Sequence, residues 1–210
     1  MTPETQPNTP GVTPSFYGLT RPALAGRLAE RGQPPYRADQ IYAWVYGRRR
    51  RNAAGMSDLP ASLRSRFEGL CHLDLPAIDS VQGTRDGMTH KFVLRLADGA
   101  RVESVSMRTE KRLTFCLSSQ VGCALGCTFC ATGLMGLMRN LTAAEIVTQV
   151  IAMGDHHRWQ DERFNLVFMG MGEPLANYEP VMEAIRILHD PRGLNLGARR
   201  ITVSTRGVVP

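Results

Sequence analysis

The chain has 210 residues, 43% hydrophobic and 21% charged, which is globular composition with enough length for one sizeable core or two small ones. No apolar run is long enough to span a bilayer, and the N-terminus lacks the basic-then-apolar order of a secretory signal, so the expectation is a soluble, cytoplasmic protein. The formal net charge of +6 favours an anionic partner, nucleic acid being the usual one, although a solvated basic surface explains it as well.

Residues 1–15 are rich in Thr, Pro and Asn, and are expected to form a disordered tail. From residue 16 to about 75 the spacing is helical. One helix is predicted from about Thr20 to Gly32. A second holds Ile41, Trp44 and Val45 and runs into the basic block Arg48 to Arg51. A third follows Ser57, with Leu59, Leu63, Phe67 and Leu70 on one side. Residues 76–110 alternate instead: Phe92, Leu94 and Leu96 form one strand face, Asp98-Gly99 is a two-residue turn, and Val102 to Met107 return, giving a β-hairpin linker.

From residue 111 to 210 strands alternate with helices. Strands are predicted at Leu113–Ser118, Asn165–Met169 and Ile201–Ser204. Thr142 and Glu145 form a capping box for a helix stopping at Gly154, and Pro180 suits the first position of another. The fold class is therefore α/β, with the beginning of a parallel sheet or barrel of about three strands.

Four of the five cysteines, Cys116, Cys123, Cys127 and Cys130, fall in one short segment, which points to metal or redox chemistry rather than a secreted disulfide framework. In Cys123-Ala-Leu-Gly-Cys127-Thr-Phe-Cys130 the C-x3-C-x2-C spacing can bring three thiolates around one 4Fe-4S cubane, with Gly122 and Gly126 allowing tight bends. Three ligands leave one iron open to hold a small molecule. A structural zinc using Cys116 or a histidine as fourth ligand, and a redox dithiol at Cys127 and Cys130, are the competing readings. Zinc ligand pairs usually lie farther apart, and a redox dithiol normally has no third cysteine nearby.

The run from Cys116 to Gly133 resembles the radical S-adenosylmethionine adenosine-C2 RNA methyltransferases (RlmN type). So do Arg139-Asn-Leu-Thr142, Gly170-Met-Gly-Glu173-Pro, Thr202-Val-Ser204-Thr-Arg-Gly207-Val-Val-Pro210, Pro35 to Trp44, and Val102 to Val105. The resemblance implies a partial (β/α) radical-SAM barrel behind a small helical accessory domain. It implies methyl transfer to carbon 2 of an adenosine in 23S ribosomal RNA and, in some members, transfer RNA. A sister family methylates carbon 8.

Residue by residue, the resemblance places Cys123, Cys127 and Cys130 on the cluster ligands. Cys116 falls on a resolving cysteine and Glu103 on a proton acceptor. Gly172, Glu173 and Ser204 fall on contacts to S-adenosylmethionine. It further implies a disulfide bond in the family's cysteine chemistry, an electron donor such as flavodoxin, and a monomer. By alternation Glu103 shares an apolar face with Val105 and Met107, where burial would raise its pKa; a salt bridge to an arginine is the plainer alternative. Thr114, Cys116 and Ser118 share a polar strand face. No cysteine follows Cys130, so the family's methyl-carrying cysteine is missing, and the 210 residues are expected to be an N-terminal portion that does not complete the reaction alone. Arg37, Arg48 to Arg51, Arg64 and Arg66 make the helical region a candidate RNA-backbone surface, a role this portion could have without catalysis. Trp44 and Tyr46 either stack on bases or pack, with packing favoured for Trp44. The adjacent His156 and His157 are expected to point apart at the surface.

Overall fold

A computed structural model describes residues 13–159 and 163–208. Residues 1–12 of the expected tail, and Val209-Pro210, lie outside them. Within the described part of that tail, Pro14 and Ser15 already pair with His72.

The helical region contains α1 (Arg21–Ala29), α2 (Arg37–Tyr42) and α3 (Ala61–Ser65). Thr20 caps α1 through its side chain, with Pro22 in the first turn where no backbone donor is needed. α2 continues as a wider π-type turn, Ala43–Gly47, which buries Trp44 to 8% and Tyr46 to 2%. Both rings therefore pack, and neither is open to a base. The third predicted helix is broken: α3 is followed by a 3-10 turn at Phe67–Gly69, yet Leu59, Leu63, Phe67 and Leu70 are all buried.

Six strands form one sheet in the order β1 (Ala77–Gly83), β2 (Thr89–Arg95), β3 (Arg101–Thr109), β4 (Arg112–Cys116), β7 (Phe164–Phe168) and β8 (Ile201–Val203). The first three junctions are antiparallel, and β4–β7 and β7–β8 are parallel. β3 pairs directly with β4, so the sheet runs unbroken across residue 110. The turn at Asp98-Gly99 is one residue longer than expected. Leu96 and Ala100 pair across Ala97-Asp98-Gly99, with Gly99 left-handed at φ 84°. A separate hairpin, β5 (Gln120–Cys123) with β6 (Gly136–Asn140), projects from the end of β4.

α4 (Ala143–His156) packs against α5 (Tyr178–His189), and Gln149 of α4 and the following His157 reach Ser104 and Ser106 on one face of the sheet. The capping box forms as expected, with Thr142 and Glu145 satisfying each other's backbone amides. α4 does not stop at Gly154. The indole of Trp159 packs so closely over Gly154 that a Cβ there would overlap the ring, so this glycine provides space rather than a cap. α5 begins at Tyr178, which puts Pro180 third in the helix, still inside the turn whose amides need no helical partner. At the end of α4 His156 is exposed, as expected of the pair, but His157 is half-buried and the two rings do not point apart. The rings of His156 and His157 lie 5.3 Å apart, His90 of β2 lies 5.5 and 5.3 Å from them, and His157 Nε2 is 2.6 Å from Ser106 Oγ.

One continuous core joins the helical region to the sheet layers. Phe16 and Tyr17 are buried in it, Gly18 abuts Ala144, and Arg21 ion-pairs with both Asp39 and Asp190. Three arginines of the Arg48 to Arg51 block are used by the fold. Arg48 lies 4.0 Å over Trp44, Arg49 lies 4.4 Å over Trp159, and Arg51 ion-pairs with Asp155 of α4.

Beneath the sheet, Gln149 is fully buried and fully engaged. Its Oε1 accepts from Ser104 Oγ at 2.8 Å and Ser118 N at 2.9 Å, and its Nε2 donates to Ser118 O at 3.0 Å and Glu145 O at 3.2 Å. Replacing it by the similarly sized Leu strands these partners without water. Q149L is therefore expected to cost about 2–4 kcal/mol of stability, measured by chemical denaturation, and a loss below about 0.5 kcal/mol would contradict this account.

Candidate functional site

The parallel strands β4, β7 and β8 end on the same side, at Cys116, Phe168 and Val203, and the loops that follow carry most of the predicted site residues. Ligand sites on parallel sheets collect at such carboxyl ends. β4 runs into Leu117–Ser119, which is woven to the loop after β7. Leu117 N donates to Val167 O, Gly170 N to Leu117 O, Met171 N to Ser118 Oγ at 2.9 Å, and Ser119 N to Met171 O. Asn177 Nδ2 ties the carbonyls of Ser119 and Leu141 at 2.7 and 2.8 Å.

Gly172 and Glu173 lie against β5. Gly172 has φ 97°, and a Cβ there would stand 2.6 Å from Gln120 Cβ and 2.7 Å from Gln120 N. Glu173 N donates to Gln120 Oε1 at 2.9 Å. The Glu173 side chain is 4% exposed; Oε1 accepts from Leu175 N at 3.0 Å and Oε2 from Arg206 N at 2.8 Å. The carboxylate is thus held by two backbone amides at the meeting point of three loops. Ser204 is exposed just past the end of β8.

The β5–β6 hairpin carries the cysteine loop. Cys123 ends β5 opposite Gly136 and is nearly buried, whereas Cys127 and Cys130 are half-exposed. Cys130 N donates to Cys127 O at 3.0 Å, and Gly133 N to Cys130 O at 3.0 Å. The Cys130 thiol is held below its usual pKa, first by the Gly133 amide and then by Thr132. That favours the thiolate a metal requires. Among the described residues no three Cys, His, Asp or Glu side chains converge as a metal site. The loop therefore fits a cluster in donor chemistry and spacing without gathering the three sulfurs. Phe129, Leu134 and Met138 around it are 92%, 84% and 71% exposed.

Cys116 and Glu103 share the open face of the sheet. Cys116 pairs with Val105, so Glu103, Val105, Met107, Thr114 and Cys116 alternate onto one side while Ser104, Ser106 and Phe115 face α4. Burial raises the Cys116 thiol pKa, partly offset by the Met169 amide. Ser118 does not join this face, because β4 ends at Cys116 and Ser118 turns into the protein. The burial expected of Glu103 is not found either. Its carboxylate is 48% exposed and 2.9 Å from Lys91 Nζ, the salt-bridge alternative with lysine in place of arginine. What is held in place is its backbone, whose carbonyl accepts from Ser118 Oγ and whose amide meets Met171 Sδ at 3.3 Å. All five cysteines are free, so the implied disulfide bond is absent.

Three residues of the site carry no signal in the spacing. Gln120 and Asn177 act through side-chain amides. Arg139 sits in a motif, but its role comes from geometry: it forms a two-pronged bond to Glu145 at 2.8 and 2.9 Å and a third to Asp98 at 2.8 Å.

Residues 117–210 match the radical SAM superfamily, and residues 15–73 match the ribosomal RNA large subunit methyltransferase N-terminal domain. These two matches and the relatives that follow make the chain similar to radical SAM proteins of the RlmN type. It is 46% identical over 197 residues to a dual-specificity RNA methyltransferase RlmN of Solidesulfovibrio magneticus, covering 92% of this chain and 56% of that protein. A protein of the same name from Halorhodospira halophila is 47% identical over 194 residues, covering 92% and 54%. The crystal structure of a radical SAM methyltransferase from Sphaerobacter thermophilus superposes with a TM-score of 0.85 at 46% identity, over 93% of this chain and 57% of that one. The chain thus spans about half the length of these relatives.

Gly172→Ala tests the loop geometry. The left-handed backbone and the contact with Gln120 together are expected to cost about 2–4 kcal/mol and to displace Glu173. Urea denaturation and crystallography of the variant would check this; an unshifted Glu173 would contradict it.

Proposed function

We propose that this chain is the cluster-bearing and accessory portion of a radical S-adenosylmethionine RNA methyltransferase. The whole protein would methylate carbon 2 of an adenosine in 23S ribosomal RNA and in transfer RNA. The observation that supports this most is that Cys123, Cys127 and Cys130 lie on the β5–β6 hairpin, whose first strand is bonded to Glu173 in the loop after β7. Bound there, a 4Fe-4S cluster would supply the electron that opens S-adenosylmethionine to radical chemistry. Cys123, Cys127 and Cys130 would hold it, and metal binding would draw their sulfurs together, since binding and local folding are coupled.

The residues around the cluster site divide the remaining work. Gly172 lets the loop close against Gln120 of β5, and Glu173, fixed by two amides, keeps acceptor capacity for an ammonium group. Ser204 adds a hydroxyl at the end of β8. Cys116, on the open face, would serve as the resolving thiol, with burial keeping it protonated until needed. Glu103, on the same face and accessible, would accept a proton from substrate. An electron donor such as flavodoxin would reduce the cluster.

Electron paramagnetic resonance on the anaerobically reconstituted, dithionite-reduced chain tests the cofactor reading. A reduced-cluster signal that shifts on adding S-adenosylmethionine is expected. Stoichiometric zinc with no cluster signal would sink it.

The helical region would dock on RNA backbone. Arg50 and Arg66 are exposed, and Arg66 lines an open groove of about 550 Å³ with Arg31, Gln33 and Ser62. R50E/R66E is expected to weaken RNA binding and to lower the slope of log K against log salt by about 2. An unchanged slope in a salt titration would remove these arginines from the interface.

A further inference from the structure

Arg206 lies in the loop after β8, far in sequence from the cysteines, yet it reaches both halves of the candidate site. Its backbone amide donates to Glu173 Oε2 at 2.8 Å. Its guanidinium donates to the carbonyl of Leu125 at 2.7 Å. Leu125 lies midway between Cys123 and Cys127, so this bond grips the cysteine loop at the centre of its first ligand pair. The hairpin has little else to hold it there: Ala124, Gly126, Thr128 and Phe129 are exposed. The chain of bonds closes through β5, because Glu173 N is held by Gln120 Oε1 and Gln120 Nε2 donates to Asn140 Oδ1 of β6 at 2.7 Å.

We propose that Arg206 is a positioning residue for the cluster loop, clamping Leu125 to the Glu173 loop and setting a permanent positive charge beside the ligand cysteines. The inference rests on the radical SAM reading of that loop. The two bonds are separable. Any residue at position 206 keeps the amide that serves Glu173, while only a long donor side chain reaches Leu125. The clamp would fix the approach of the loop before any cluster is bound. After loading, the guanidinium would favour the more negatively charged, reduced cluster, since nearby charge is one of the levers on such potentials. Lysine would retain the charge and one donor, without the planar fork.

The test compares the 210-residue chain with R206M and R206K. In the protein before reconstitution, hydrogen exchange of amides 124–128 is expected to quicken about tenfold in R206M, the loss of one charge-assisted hydrogen bond, and R206K is expected to restore part of the protection. After reconstitution the reduction potential, read by spectroelectrochemistry, is expected to be more negative in R206M and to return toward wild type in R206K. A residue that merely stiffened the fold would leave the potential unmoved. Unchanged exchange at 124–128 in R206M, or an unchanged potential in a loaded R206M, would overturn the proposal. A wild-type chain that takes up no iron–sulfur cluster would instead overturn the reading on which it rests.

Discussion

Ser118 is fully buried, and every polar group it owns is bonded. Its amide and carbonyl go to Gln149, and its hydroxyl donates to Glu103 O and accepts from Met171 N. A buried backbone that leaves a strand must find partners or lose several kcal/mol. Here the partners come from three elements at once: β3, α4 and the loop after β7. That requirement brings Gly172-Glu173 alongside β5, because the Met171 backbone is held by Ser118 and Ser119. The site geometry follows from satisfying one serine at the point where the chain leaves the sheet.

The same constraint fixes which way the sheet faces. Side chains alternate, so a slip of one residue between β3 and β4 would turn Cys116 under α4 and expose Phe115. Polar contacts on the covered face hold the register. Ser104 is held by Gln149, and Ser106 by His157 of the segment that ends α4. Apolar packing alone is tolerant of small shifts, whereas a buried hydroxyl with one partner is not. Three serines thus leave Cys116 and Glu103 on the open face. Glu103 needs no burial for this: its main chain is anchored while its carboxylate stays in water beside Lys91.

Wherever one face of an element is buried, the sequence is legible. The capping box, the strands β2, β3, β4 and β7, and the helical packing of Leu59, Leu63, Phe67 and Leu70 all follow from periodicity. β1 and β6 escape it because they are mostly exposed and show no alternation. β1 is instead secured by Asp79, which bridges Arg95 and Arg101 at 2.9 and 2.7 Å. Gly154 reads as a stop because nothing local shows that Trp159 will fold back over it. The cysteine spacing shows the chemistry of the loop. Of the partners that hold the loop, Gln120 and Glu173 are 53 residues apart, Glu173 and Arg206 are 33, and Arg206 and its target Leu125 are 81, and only the fold connects them.

The arginines carry the same lesson for charge. A run of four, Arg48 to Arg51, reads as a surface for phosphate. Yet two of its members cross to the end of α4, Arg49 over Trp159 and Arg51 to Asp155, and Arg48 covers Trp44. Guanidinium suits these places because it is weakly hydrated and flat, and can stack on an indole without losing its charge. A basic block can therefore join two layers of a protein and still present positive potential outward. Much of the basic excess is thus invested in holding the helical region against α4, and this fixes where that region stands relative to the open face of the sheet.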